Sequence, residues 1–210
     1  MEQSYFNYNL KPGLAIDDFF VSTSNKKAYS FILNKKIDNK KILLIGPNKS
    51  GKTHLGKIWQ KKNNAISYEN NFEIILNHKN NIFIDDFLKN INEEQIFHLI
   101  NHCSINKLTI LFTSNKEMFE HNFFLQDLLS RIKTFHTLRI DLPDDDLIIN
   151  LMIKLLHDKQ IIIKNEEIFH YILKRIERSY EEIFLLIEKI DKLSLEKKRE
   201  LTIPLIKKLL

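Results

Sequence analysis

Glycine is scarce in this chain, with 4 among 210 residues, and no Pro/Gly/Ser-rich linker or internal repeat divides it. A single cysteine, Cys103, excludes an internal disulfide framework and fits a reducing compartment. No stretch offers 18 consecutive apolar residues, which argues against a transmembrane helix. The opening MEQSYFNYNLKPG lacks the basic region and apolar stretch of a signal peptide, so the expected location is cytoplasmic, with no membrane partner. Charge of one sign is also missing. Lys plus Arg number 32 and Asp plus Glu 27, a net charge of +5. That permits weak attraction to nucleic acid, but the lysines read as scattered over solvated faces. Asn, Ile and Lys are abundant, a bias that an AT-rich coding sequence would produce. With 43% hydrophobic residues, the chain can bury the core of one ordinary domain and a small appendage.

Against this scarcity, two of the glycines fall in one stretch, LLIGPNKSGKTHL (43–55), which contains G-x-x-x-x-G-K-T. An apolar run precedes it and a helical pattern follows. Gly46 and Gly51 let the backbone wrap so that successive N–H groups point at phosphate oxygens. Lys52 supplies positive charge to the β- and γ-phosphates, and Thr53 offers its hydroxyl to Mg²⁺. Asn48, Lys49, Ser50 and His54 complete the nucleotide-binding stretch, with ATP or ADP as the expected cofactor. NIFIDDF (81–87) is a second apolar run closed by acids. Asp85 is placed to reach the metal and Asp86 to orient an attacking water. KLTILFTSN (107–115) is a third such run, ending in Thr113 and Asn115, which could touch the γ-phosphate or its water.

KKILLIG (40–46), NAISYEN, NIFIDDF, KLTILFTSN and TFHTLRIDLP read as strands separated by helical patterns, which implies a parallel sheet flanked by helices. After Pro143 the texture becomes helical throughout, and Asp144–Asp146 suit a helix start. His98, His102 and Cys103 lack a second ligand group for zinc. There is no Ser/His/Asp order that would suggest acyl transfer. The 15 phenylalanines fall at core spacings.

The three phosphate-site motifs, with LQDLLSRIK (125–133), resemble the AAA+ ATPases of the DnaA branch over residues 14 to 210. The resemblance implies an AAA+ P-loop α/β domain at 14–143, a small all-helical lid at 144–210, and a separate amino-terminal segment at 1–13. Arg131 matches the family's arginine finger, which reaches a neighbour's γ-phosphate; read from the residues alone it is a helix-end arginine on a solvated face. AIDDFFVSTSNKKAYSFI resembles the segment that packs on adenine, implicating Phe20 and Val21. The ending RELTIPLIKKLL (199–210) is similar to that of the Hda proteins, short relatives that act with the sliding clamp to make DnaA hydrolyse its ATP. QSYFNY (3–8) resembles a degenerate clamp-binding peptide, with Gln3 for a polar subsite and Phe6 and Tyr8 for an apolar groove. The same six residues also read as a terminus with incidental aromatics, since Ser4 stands where a leucine is usual. The lid departs from the family pattern, with Glu181 at the position of the second-sensor arginine and Arg178 one turn earlier as its substitute.

The implied partners are DnaA and the sliding clamp, with DNA met only indirectly, and a nucleotide-dependent homo-oligomer is compatible with the pattern. Three functions stay open. The first is a regulator that stimulates hydrolysis by DnaA. The second is a self-sufficient ATPase of the helicase-loader kind, and the third is a nucleotide-dependent scaffold.

Overall fold

The computed structural model describes residues 16–33, 39–69, 71–89, 92–115, 117, 122–161, 163, 165–197 and 202–210, apart from the side chains of 17, 196 and 197. The amino-terminal segment with Gln3, Phe6 and Tyr8 lies outside the described residues. Five strands form one parallel sheet: β1 (Lys41–Ile45), β2 (Ile66–Ser67), β3 (Ile82–Ile84), β4 (Ile110–Ser114) and β5 (His136–Arg139), in the order β2-β3-β4-β1-β5. β1 pairs with β4 on one side and β5 on the other, in register Ile42↔Leu111 and Ile42↔His136. Its KILLI run is apolar on both faces because helices cover both faces.

The helices are α1 (Lys26–Ile32), α2 (Lys52–Lys62), α3 (Phe72–Leu76), α4 (Glu93–Asn106) and α5 (Gln126–Ile132), then α6 (Asp145–Asp158), α7 (Glu167–Leu173), α8 (Tyr180–Lys197) and α9 (Ile203–Ile206). Alternation along the strands sorts the core into two layers. Leu43, Ile45, Ile84 and Phe112 face α3, α4 and α5. Ile42, Leu44, Phe83 and Leu111 face α1 and α2, where Trp59 is fully buried. A third cluster, with Met152, Ile172 and Ile187, joins α6 to α9. This is an α/β unit followed by a helical lid, as the strand and helix patterns predict.

Caps set the helix starts. Asn92 accepts from the Gln95 N–H at 3.1 Å to open α4. Asp144 accepts from the Leu147 N–H at 2.8 Å to open α6, one residue after Pro143. Asp144 also accepts from Thr23 Oγ1 at 2.7 Å, which ties the amino-terminal side of the α/β unit to the lid. Burial works against the Asp144 carboxylate, yet the hydrogen bonds from Thr23, Leu147 and the Ser22–Ser24 turn together hold its pKa below the usual value. A lowered folded-state pKa contributes stability above the ordinary carboxylate range, and that contribution disappears as pH falls through the lowered value. Asp144→Ala is therefore expected to cost about 1 kcal/mol at neutral pH. The difference from wild type in urea denaturation should shrink as pH falls through Asp144's lowered pKa. A difference independent of pH would assign the loss to packing.

Candidate nucleotide site

β1 lies where the strand order reverses: the chain leaves it outward to β2, returns through β3 and β4, and crosses to β5. In parallel sheets the crevice at such a point, at the carboxyl ends of the strands, receives ligands. Here it holds the turn from Gly46 to Gly51. Gly46 ends β1 with no room for a side chain, because a Cβ would stand 3.0 Å from both Ile140 and Ser50 Oγ. Gly51 caps α2 with φ of +89°, a backbone that favours glycine, and the Phe19 ring lies against it. Lys49 is also left-handed, with φ of +61°. Such departures need surrounding structure to hold them and gather at ligand-binding turns.

Lys52 is 9% exposed, and its Nζ donates to the Pro47 carbonyl at 2.6 Å. Burial lowers its pKa, opposed by the charges of Asp86 and Asp85. Ser50 Oγ is buried with no hydrogen-bond partner among the described residues. A buried hydroxyl without a partner is costly, and one beside a buried lysine at a helix start is suited to a phosphate oxygen. On these observations the site fits a nucleotide's phosphates.

The acids arrive from β3 and are held by β4. Thr53 Oγ1 donates to Asp85 Oδ2 at 2.9 Å, and Thr113 Oγ1 donates to Asp85 Oδ1 at 2.6 Å. The Asp86 N–H donates to the same Thr113 hydroxyl at 2.7 Å, holding Asp86 at φ of +45°. Thr113 is thus the residue that aims the acid pair. Asp85 and Thr53 are exposed, so their oxygens are open to a hard cation. Asn115 Nδ2 donates to Asn48 Oδ1 at 2.9 Å, joining the end of β4 to the phosphate turn.

A cavity of about 450 Å³ extends from this turn to the lid, lined by Phe19, Phe20, Lys49–His54 and, from the lid, Leu151, Lys154, Asp158, Tyr180 and Phe184. Phe19 stacks on Tyr29 with centroids 5.5 Å apart and meets His54 edge-on at 5.4 Å. Lys154 Nζ donates to the Asp18 carbonyl at 2.9 Å, bringing α6 onto the segment before α1. Lys49 Nζ stands 4.9 Å from the Phe184 ring, linking the phosphate turn to α8.

Several expected residues stand elsewhere. Val21 faces a smaller cleft beside Asp144–Asp146 and does not line the cavity. Arg178 is off the cavity wall, and its guanidinium is held by Asp145 at 2.8 and 3.2 Å. Glu181 is exposed and also off that wall. Among the lid residues that do face the cavity, Leu151, Lys154, Tyr180 and Phe184 sit at helical spacings that the sequence offers only as core periodicity. Arg131 lies in the last turn of α5, its guanidinium 4.7 Å from the Phe97 ring of α4 and away from the chain's own cavity.

Residues 152–210 match the family described as "Hda, lid domain". No curated protein matches the sequence. Domain III of the Thermotoga maritima replication initiation protein DnaA superimposes with a TM-score of 0.75 at 18% identity, over 95% of this chain and 96% of that one. AMPPCP-bound DnaA from Aquifex aeolicus gives a TM-score of 0.67 at 18% identity, over 90% of this chain and 69% of that one. The Thermotoga maritima RuvB Holliday junction branch migration motor also gives 0.67, at 17% identity, over 94% and 71%. The chain therefore has the fold shared by domain III of DnaA and by RuvB, and its residues 152–210 are similar to the Hda lid.

Proposed function

We propose that this protein is a nucleotide-binding regulator of replication initiation that, with the sliding clamp, stimulates ATP hydrolysis by DnaA. The observation that carries the reading is the Hda lid match joined to a phosphate site of the DnaA-type fold. In this reading residues 14–143 form the nucleotide domain and 144–210 the lid, and the protein works in the cytoplasm. Among the described residues no helix is long and apolar enough to cross a membrane.

ATP or ADP occupies the cavity, with the backbone turn 46–51, Ser50 and Lys52 on the phosphates and Phe19 and Phe20 toward the base. Mg²⁺, when bound, neutralises charge on the phosphate oxygens; Thr53 and Asp85 hold it. Asp86 and Asn115 stand beside the phosphate turn, where a water would be oriented. Arg131, outside the cavity, acts in trans on nucleotide held by DnaA. The test is ATP turnover by purified DnaA with and without this protein and clamp on DNA. Stimulation that needs both supports the reading, and its absence removes it.

A second reading is favoured by the acid pair and Asn115: the chain hydrolyses ATP on its own. Fast turnover without DnaA or clamp would support it.

Residues 3–8 are the proposed clamp anchor. Peptide anchors rely on a few side chains in a preformed groove, so small truncations have large effects. Gln3→Ala with Phe6→Ala should abolish most capture by immobilised clamp. Capture that survives both substitutions would move the anchor elsewhere in the chain.

A further inference from the structure

The turns that lead into the five strands share a feature that only the fold gathers. Because the sheet is parallel, all five strands begin at the same end, opposite the nucleotide cavity. An exposed lysine precedes each strand: Lys40 before β1, Lys61 in the last turn of α2 before β2, Lys79 before β3, Lys107 before β4 and Lys133 before β5. The turns are tied side to side. Asn80 Nδ2 donates to the Asn64 carbonyl at 3.2 Å, Asn81 Oδ1 accepts from the Thr109 N–H at 2.8 Å, and the Lys40 N–H donates to Thr109 Oγ1 at 3.3 Å. The strand order and a spacing of about 4.8 Å spread this lysine row over about 19 Å.

No aspartate or glutamate occurs in residues 39–41, 61–65, 77–81, 104–109 or 132–136. The opposite end of the same sheet carries acids, Asp85, Asp86, Glu117, Asp141 and Asp144–Asp146, mixed with Lys49, Lys52, Lys89 and Arg139. Lys61, Lys107 and Lys133 stand at helix carboxyl ends, where they also balance the helix dipole, whereas Lys40 and Lys79 do not. Two neighbouring lysines, Lys61 and Lys62, end α2, and the Lys62 ammonium is already held by the Leu33 carbonyl. The strand-entry end is thus basic without nearby acids, whereas the cavity end carries both signs.

We propose that this basic end docks on the phosphate backbone of duplex DNA. Exposed lysines interspersed with Asn64, Asn77, Asn80 and Asn106 match the donor types that contact phosphates. Among the described residues the entry turns present no exposed Phe, Tyr or Trp on which bases of a single strand would stack: Phe135 is buried, and the exposed His136 ring is already stacked on Phe31. Docking this way leaves the nucleotide cavity on the far side, open to a protein partner. The surface is independent of the proposed regulation of DnaA, in which DNA is met only through the clamp.

The experiment is fluorescence anisotropy of a labelled 30-base-pair duplex, titrated with the full chain at several salt concentrations. The variant joins Lys40→Gln, Lys61→Gln, Lys79→Gln, Lys107→Gln and Lys133→Gln. A charge-matched control joins Lys174→Gln, Lys189→Gln, Lys192→Gln, Lys207→Gln and Lys208→Gln on the lid. Thermal melting checks that both are folded; if the fivefold variant is not, the five single variants are titrated instead. Each lost phosphate contact should lower the slope of log K against log salt by about 0.9, so three lost contacts lower it by about 2.7. The control should keep the wild-type slope. Equal losses in both variants, no duplex binding at low salt, or tighter lysine-dependent binding to phosphatidylserine vesicles than to duplex would each overturn the proposal.

Discussion

Arg131→Ala should abolish the stimulation of DnaA's ATP hydrolysis while leaving the protein's fold, nucleotide affinity and clamp capture nearly intact. In the isolated chain the guanidinium rests 4.7 Å from the Phe97 ring and takes no part in the chain's own cavity. Losing that cation–π contact costs about 0.5–1 kcal/mol at an exposed site, too little to unfold a domain. Delivered to a neighbour's γ-phosphate, the same group stabilises charge that develops only during transfer. Fingers of this kind are worth about 10³–10⁵ in rate. A smaller factor is expected here because DnaA has its own machinery. Single-turnover hydrolysis by ATP-loaded DnaA, with clamp on DNA and either wild-type or variant protein, measures the effect. Turnover by this protein alone should be slow, since Arg178 is held by Asp145 off the cavity wall and the lid's Lys154 is held at Asp18. Rapid intrinsic turnover unchanged by Arg131→Ala would favour the self-sufficient ATPase.

Lys52→Ala should weaken binding of ADP tenfold or more. A hydrogen bond to a charged group contributes about 1.5–3 kcal/mol, and 1.4 kcal/mol is about tenfold in affinity. Lys52 is buried against the Pro47 carbonyl, so the alanine variant also leaves that acceptor without its donor. The pH profile separates the role from general damage. Burial lowers the Lys52 pKa in the free protein, and a phosphate beside it would raise the value again. Wild-type affinity should then fall as pH rises through the lowered Lys52 pKa, with proton uptake on binding between the free and bound values. The alanine variant should lack that alkaline limb. Calorimetric titration across this range checks both points, and an unchanged affinity in the variant would remove Lys52 from the phosphate site.

The phosphate turn is legible in the sequence because its requirements are local. An apolar run, two glycines five residues apart, a lysine and a threonine fall within one strand–turn–helix unit, and Gly51 takes the positive φ that its place demands. The strands are legible for a similar reason: KILLI and ILFTS lie buried on both faces and are apolar through most of their length. The acid pair is visible as a motif, but its aim is not. Asp85 reaches Thr53, 32 residues away, because β3 and β1 flank β4, and Thr113 of β4 fixes both acids. Thr113 alone looks like any polar residue at a strand end.

The lid was the least legible part. Leu151, Lys154, Tyr180 and Phe184 recur at spacings of three or four, which burial in a helical core explains equally well. Only the approach of α6 and α8 to the phosphate turn distinguishes the residues facing the cavity. The family resemblance, with Arg178 one helical turn before Glu181, implies Arg178 at the phosphates as the substitute for the second-sensor arginine. Asp145, 33 residues earlier in the chain, holds it on the outer side of the lid.

By itself, then, the sequence determined the phosphate turn, the acid pair, the strand runs and the helical texture after Pro143, since each depends on neighbours a few residues apart. Tertiary structure alone decided which lid side chains face the cavity, which hydroxyl aims the acids, and where Arg178 is spent. It also turned lysines that look scattered along the chain into one basic end. The physical reason is that a parallel sheet starts all its strands at one end and finishes them at the other. Residues that precede the strands are thereby gathered at one pole and residues that follow them at the other, at distances along the chain that no local pattern spans.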